Sequence, residues 1–236
     1  MRSLKIVSVV LGVLLALTGV LSVASGIFVL VVDRLYSDSS GFFSTSTQTI
    51  GSNGLALTAP DVNGQLAGRW ERWGLTHAQA TVRVTGFSKL PAPVFIGIGP
   101  TAQVSRYVSG VARDRVTSIN LRAGSVKYDH MDGAMLPGPP GEQDFWVAKV
   151  AGTGNQTLEW ALQEGDWALV IMNGDASGPI AVDMSLSARF GIIEPLTIGL
   201  IAAGVVALAI GITLIVVGAR RGSRRGRIGQ RDPLPR

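Results

Sequence analysis

The 236-residue chain has no cysteine and only two histidines, His77 and His130. Without thiols it can form no disulfide, thiolate nucleophile or cysteine-based metal site. Charged side chains make up only 16% of the residues, and two long stretches carry none. Catalytic signatures are also missing. No Gly-x-Ser-x-Gly elbow occurs, and Gly97-Ile98-Gly99-Pro100 lacks the glycine spacing and following lysine of a phosphate-binding loop. The sequence therefore gives no positive case for an enzyme, and it implies no cofactor.

What is abundant is apolar and small. Residues 6–32 contain no charge and consist mainly of Val, Leu, Ile, Ala and Gly. At about 1.5 Å per residue, they reach roughly 40 Å as a helix, enough to cross a hydrocarbon core of about 30 Å. A second uncharged run occupies 196–218, preceded by Glu194 and Pro195, residues suited to a helix start. A secretory signal is the alternative for the first run, given Arg2, Lys5 and the small residues Ala24-Ser25-Gly26. Its apolar core continues through Val32, longer than the usual signal, so a retained anchor is expected.

Glycine recurs every seventh residue in both runs: Gly12, Gly19 and Gly26, then Gly204, Gly211 and Gly218. Ala16 lies four residues from Gly12, and Ala207 lies four from Gly211. Such small-residue stripes let helix backbones approach closely in a membrane.

The basic residues set an expected orientation. Arg2 and Lys5 precede the first run, while Arg220, Arg221, Arg224, Arg225, Arg227, Arg231 and Arg236 follow the second. Residues 33–194 carry 12 basic and 15 acidic side chains, a balance of −3. Both termini should face the cytoplasm and the middle should face outside. The expected organisation is a cytoplasmic amino end (1–5), transmembrane helix 1 (6–32), an extracytoplasmic β-rich domain (33–195), transmembrane helix 2 (196–218) and a basic cytoplasmic tail (219–236). Arg220, Arg221, Arg224, Arg225 and Arg227 sit where anionic lipid headgroups attract them. The tail lacks the aromatic platforms of a nucleic-acid binder, which disfavours that partner.

Alternating residues predict strands in the middle. Ala80, Val82, Val84 and Gly86 share one side of a segment whose other side carries Thr81, Arg83, Thr85 and Phe87. Further strands are expected at 94–98, 116–119, 126–128, 145–150, 157–161, 167–172 and 180–188, with a short helix from Thr101 through Val108. Gly165-Asp166 reads as a hairpin connection between the Leu158/Trp160 and Trp167/Leu169/Ile171 strands. Repeated antiparallel ribbons bury a shared face by forming a sandwich. The expected fold class is thus an α+β membrane protein with two transmembrane helices flanking an extracytoplasmic β-sandwich-like domain.

The stretch Leu158-Glu159-Trp160 through Trp167-Ala168-Leu169-Val170-Ile171-Met172-Asn173 resembles the late hairpin of bacterial sandwich accessory domains. Together with Phe95-Ile96-Gly97-Ile98-Gly99-Pro100 and the basic tail, it is similar to an uncharacterised actinobacterial family of two-span membrane proteins. The resemblance implies a bacterial plasma-membrane location and an external strand-rich domain. It transfers no catalytic role.

Three local patterns remain. Asp129-His130-Met131-Asp132 is the densest metal-like cluster, but neighbours on a strand point to opposite faces, so a polar loop or surface is favoured over a metal site. Asp114 could join Asp129 and Asp132 in acid chemistry only if folding gathers them. Trp70, Arg72 and Trp73 combine aromatic and basic groups suited to recognition of headgroups, carbohydrate or another subunit, although packing is the simpler role. Pro137 to Gly141 reads as a constrained crossover.

These features lead to an expectation of a structural or regulatory accessory protein that positions its external domain near a membrane or envelope complex. Its partner would be another membrane protein or a second copy of the chain. The alternative is a cell-surface sensor or binding protein for a small molecule or envelope component.

Overall fold

A computed structural model describes residues 2–62, 80–120 and 125–223. Two long helices, α1 (Arg2–Tyr36) and α3 (Ile193–Ser223), flank a strand-rich segment in the sequence. The helices belong to one compact unit, and Ser37–Gly191 forms the other.

No proline interrupts α1, and Pro195 falls in the first turn of α3, where a missing backbone N–H costs no internal bond. The threonine hydroxyls within the helices reach backbone carbonyls one turn earlier. Thr18 donates to Leu14 O, Thr197 to Ile193 O and Thr213 to Ala209 O. Both helices are long and apolar enough to cross a membrane by length and composition. They also extend beyond the apolar runs, α1 taking in Asp33 and Arg34 before ending at Tyr36.

The second unit contains β1 (Phe43–Ser44), β2 (Gln48–Ser52), β3 (Ala56–Ala59), β4 (Ala80–Ser88), β5 (Val94–Pro100), α2 (Thr101–Tyr107), β6 (Arg113–Asn120), β7 (Ser125–Met131), β8 (Ala148–Gly152), β9 (Asn155–Ala161), β10 (Trp167–Asn173) and β11 (Ile180–Phe190). In sheet I, the order is β1-β11-β4-β9, with β2 also paired to β11; sheet II runs β7-β6-β3-β10-β5-β8. All pairs are antiparallel except β3 with β6.

The sheets share a core. Val82, Val84, Leu158, Trp160 and Val182 of sheet I meet Leu57, Ile96, Ile98, Leu169 and Ile171 of sheet II. Full burial of such a side chain contributes about 1.5–3 kcal/mol, so this layer dominates the stability of the unit. Sheet II is buried on its other face too, where Ala56, Val170 and Met172 lie against Val104 of α2 and Val108 just past its end. That second layer explains why β10 is apolar without alternation from Ala168 to Met172.

Several sequence expectations need correction. No strand was expected before Ala80, yet β1, β2 and β3 supply parts of both sheets. The strand expected at 145–150 begins only at Ala148; Phe145 and Trp146 instead pack their rings against each other at 4.4 Å, beside the outer layer. Gly165-Asp166 does not close a hairpin, because β9 belongs to sheet I and β10 to sheet II. The connection crosses between layers, and Gly165 adopts φ +121°, a conformation that L side chains rarely take. The parallel β3–β6 pair was hidden because the two strands are distant in sequence.

Candidate functional site

The helical unit meets along its smallest residues. Gly12, Gly19, Gly26, Gly204, Gly211 and Gly218 are all buried, whereas Leu14, Leu21, Phe28, Ile198, Val206 and Ile212 are exposed. A Cβ added at Gly19 would lie 2.7 Å from Gly204 O, and one at Gly204 would lie 2.9 Å from Gly19 O. Gly12 and Gly211 oppose each other similarly, at 2.9 Å and 2.7 Å from the facing carbonyl oxygens. Ala16 joins this contact, its backbone N standing 2.7 Å from a Cβ built on Gly211. At Gly26 the obstacle would be the Ile201 side chain, 2.6 Å away. Ala207 is half-buried. The pairing order makes the helices antiparallel, and Ser22 Oγ adds a 2.9 Å hydrogen bond to Leu200 O across the seam.

The β unit has a separate polar cleft. Antiparallel pairing of β6 and β7 puts Asp114 opposite His130, and the Asp114 Oδ1 to His130 Nδ1 distance is 2.7 Å. Asp114 is buried, while the His130 side chain is half exposed. On the other ring edge, Nε2 lies 3.4 Å from Asp132 Oδ1. The Asp114 hydrogen bond raises the pKa of His130, with the charges of Asp114 and Asp132 acting in the same direction against desolvation. Asp114, Tyr128 and His130 face Ser52, Asn53 and Ile180 across an open cleft of about 500 Å³.

The structure does not gather all members of the metal-like motif. Asp129 alternates to the other face of β7 from His130 and is in register with Arg115. Among the described residues, no group of three or more His, Cys, Asp or Glu side chains is arranged to hold a metal. The conditional trio of Asp114, Asp129 and Asp132 is likewise divided; only Asp114 and Asp132 approach His130. Sequence reasoning missed the Asp114–His130 pair. Its available signal was the spacing of two strand segments able to fold back as neighbours.

The other candidates fare differently. Trp70, Arg72, Trp73 and His77 lie outside the described residues, as do Arg224, Arg225 and Arg227. Arg220 and Arg221 lie in the last turns of α3. The segment around Pro140 is tied down rather than freely presented: Trp146 Nε1 donates to Pro140 O at 2.8 Å, Lys149 Nζ to Gly141 O at 2.7 Å and Tyr107 Oη to Gly138 O at 2.6 Å. Burial pushes the Tyr107 hydroxyl up to about 12, keeping it a neutral donor at ordinary pH. Trp146 is therefore a packing and hydrogen-bonding residue outside a strand, whereas Trp160 is a buried residue of β9.

A further polar network escaped sequence reasoning. Arg83 binds Asp38 at 2.7 Å and Glu159 at 2.8 Å while its guanidinium lies 3.6 Å from the Phe42 ring centroid. Two backbone N–H groups, from Phe42 and Ser40, also reach Asp38; with Arg83 they hold its carboxyl below the usual range. The two ion pairs tie β4 to β9 and to the segment before β1.

The sequence matches no family model and no curated protein.

Proposed function

We propose that this chain is a membrane-anchored, non-catalytic accessory protein whose helix hairpin holds the β unit near a membrane or envelope complex. The observation that carries this reading is the division of labour on the helices. Glycine and alanine fill the seam, leaving large apolar side chains such as Leu14, Leu21, Phe28, Ile198 and Val206 outward. Such a surface is unfavourable in water and suited to lipid. The charge distribution supports a bacterial plasma-membrane orientation with both termini in the cytoplasm. The arginine tail then meets anionic headgroups, and a membrane-protein partner or a second copy meets the displayed domain.

The absence of native cysteine permits a direct topology test. A single cysteine at exposed Gly141, where an added Cβ meets nothing within 4 Å, should react with a membrane-impermeant maleimide on intact cells, and one replacing Gln230 should not. Cross-linking in native membranes, followed by intact-complex mass spectrometry, should recover a reproducible neighbour. A chain found only as a monomer, without a specific neighbour, would defeat the accessory role.

The Asp114–His130 cleft favours a second reading as a cell-surface sensor or binding protein. It combines a buried carboxylate, an exposed imidazole and apolar walls, features used to orient small ligands. Calorimetry on the full chain with envelope glycans and polar metabolites should then show saturable heat that His130→Ala removes. Unchanged binding by that variant would exclude this cleft as its source.

A further inference from the structure

Strand β6 supplies a second recess on the face opposite Asp114. Alternation directs Arg113 and Arg115 to that face, where they join Thr58, Thr101, Ser105 and Val104 around about 170 Å³ of space. Thr58 is the register partner of both Arg115 and Val170, which places the recess over the middle of sheet II. Val108 and Ala168 complete an apolar wall.

The polar groups there are not equivalent. Arg113 is committed to the turn that follows α2, with Nη1 donating to Val108 O at 2.8 Å and Val111 O at 3.1 Å. Arg115 makes no ion pair with any described acid; its register partner on β7 is Asp129. Thr101 Oγ1 is sealed from solvent without a hydrogen-bond partner. That hydroxyl is out of a ligand's reach, which leaves Thr58 and Ser105 as the neutral polar side chains of the recess. The space is close to the roughly 150 Å³ known to take a benzene ring when its walls are apolar.

We propose that this recess binds a compact carboxylate whose apolar body rests on Val104, Val108 and Ala168 and whose anionic end meets Arg115. An arginine fork favours a carboxylate over a neutral amide, because charge-assisted hydrogen bonds are roughly twice as strong as neutral ones. Thr58 and Ser105 supply hydroxyls around the same ligand. The site is distinct from the Asp114–His130 cleft and stands independently of the accessory role.

Benzoate and isovalerate are suitable probes for the full chain in detergent micelles, read by methyl NMR of Val104 and Val108 and by calorimetry. At least one should bind saturably at a single site, with benzoate ring currents shifting those methyl signals. Arg115→Gln should weaken binding about tenfold, and benzamide should bind the parent about tenfold more weakly than benzoate. Ser105→Phe, at an exposed position on α2, should block entry while leaving the fold intact by circular dichroism. Failure of both acids to bind, equal binding by Arg115→Gln, or shifts distributed over micelle-facing methyls instead of Val104 and Val108 would overturn the proposal.

Discussion

Replacing Gly19 tests the helix seam where its tolerance is smallest. In Gly19→Ala, the new Cβ would stand 2.7 Å from Gly204 O and 2.8 Å from both Leu208 N and Leu208 Cγ. Carbon-to-oxygen contacts of this kind settle at about 3.3 Å, so the backbones must separate by about 0.6 Å. That movement also loosens the neighbouring Gly12–Gly211 approach. Overpacking of a tight contact costs about 1–3 kcal/mol, whereas alanine gains about 1 kcal/mol in helix propensity over glycine. The net expectation is a loss of up to about 2 kcal/mol for alanine, with a larger loss for Gly19→Leu. Gly199→Ala is the control: its Cβ meets nothing within 4 Å, so only the propensity gain remains. Denaturation in micelles supplies the stability, and spin labels on cysteines introduced at exposed Leu11 and Ile212 supply the helix separation. If Gly19→Leu keeps the parent midpoint and distance distribution, the close-contact reasoning fails.

Three further outcomes test the β unit. His130 has a raised folded-state pKa, so its stabilising contribution is complete below its unfolded value of about 6.5 and is lost as pH rises through the folded value. The stability difference between the parent and His130→Gln should therefore be larger at about pH 5 than at about pH 9; a pH-independent difference in urea melts would contradict this linkage. Arg83→Ala should destabilise the unit by about 1–3 kcal/mol, combining a lost cation–π contact with two partly exposed ion pairs, and Arg83→Lys should recover only part of it; equal stability of Arg83→Ala and the parent would refute this. Asn173 is buried, and its Nδ2 donates to Ser177 O and Pro179 O, both at 2.9 Å. Asn173→Leu should cost about 1–3 kcal/mol by removing two hydrogen bonds that tie a buried amide to the turn at 177–179, measurable as a lower thermal midpoint; an unchanged midpoint would refute this.

Legibility followed the range of the interaction. Alternation located β4 because its partners bury one face, and the burial of Val82, Val84 and Gly86 follows that pattern. It failed for β2 and β3, where short strands derive their stability from distant partners. The β2 strand pairs with β11, while β3 is held between β10 and β6. Gly165-Asp166 was a turn signal without a partner assignment. Turn chemistry can reverse a chain, but it does not choose which sheet receives the next strand.

The same distinction governs the candidate sites. Charge-free length and the seven-residue glycine spacing were present in the sequence because they depend on composition and helical repeat. Only tertiary structure decided which glycine faces which: Gly12 meets Gly211 and Gly19 meets Gly204 because antiparallel helices fix one register. The motif Asp129-His130-Met131-Asp132 was visible as a cluster, yet strand geometry separated Asp129 from His130 and brought in Asp114 from β6. Sequence determined the helix length, charge asymmetry and much of the strand alternation. The pairing of sheets and helices decided the polar neighbours, because those contacts depend on distances across the fold rather than along the chain.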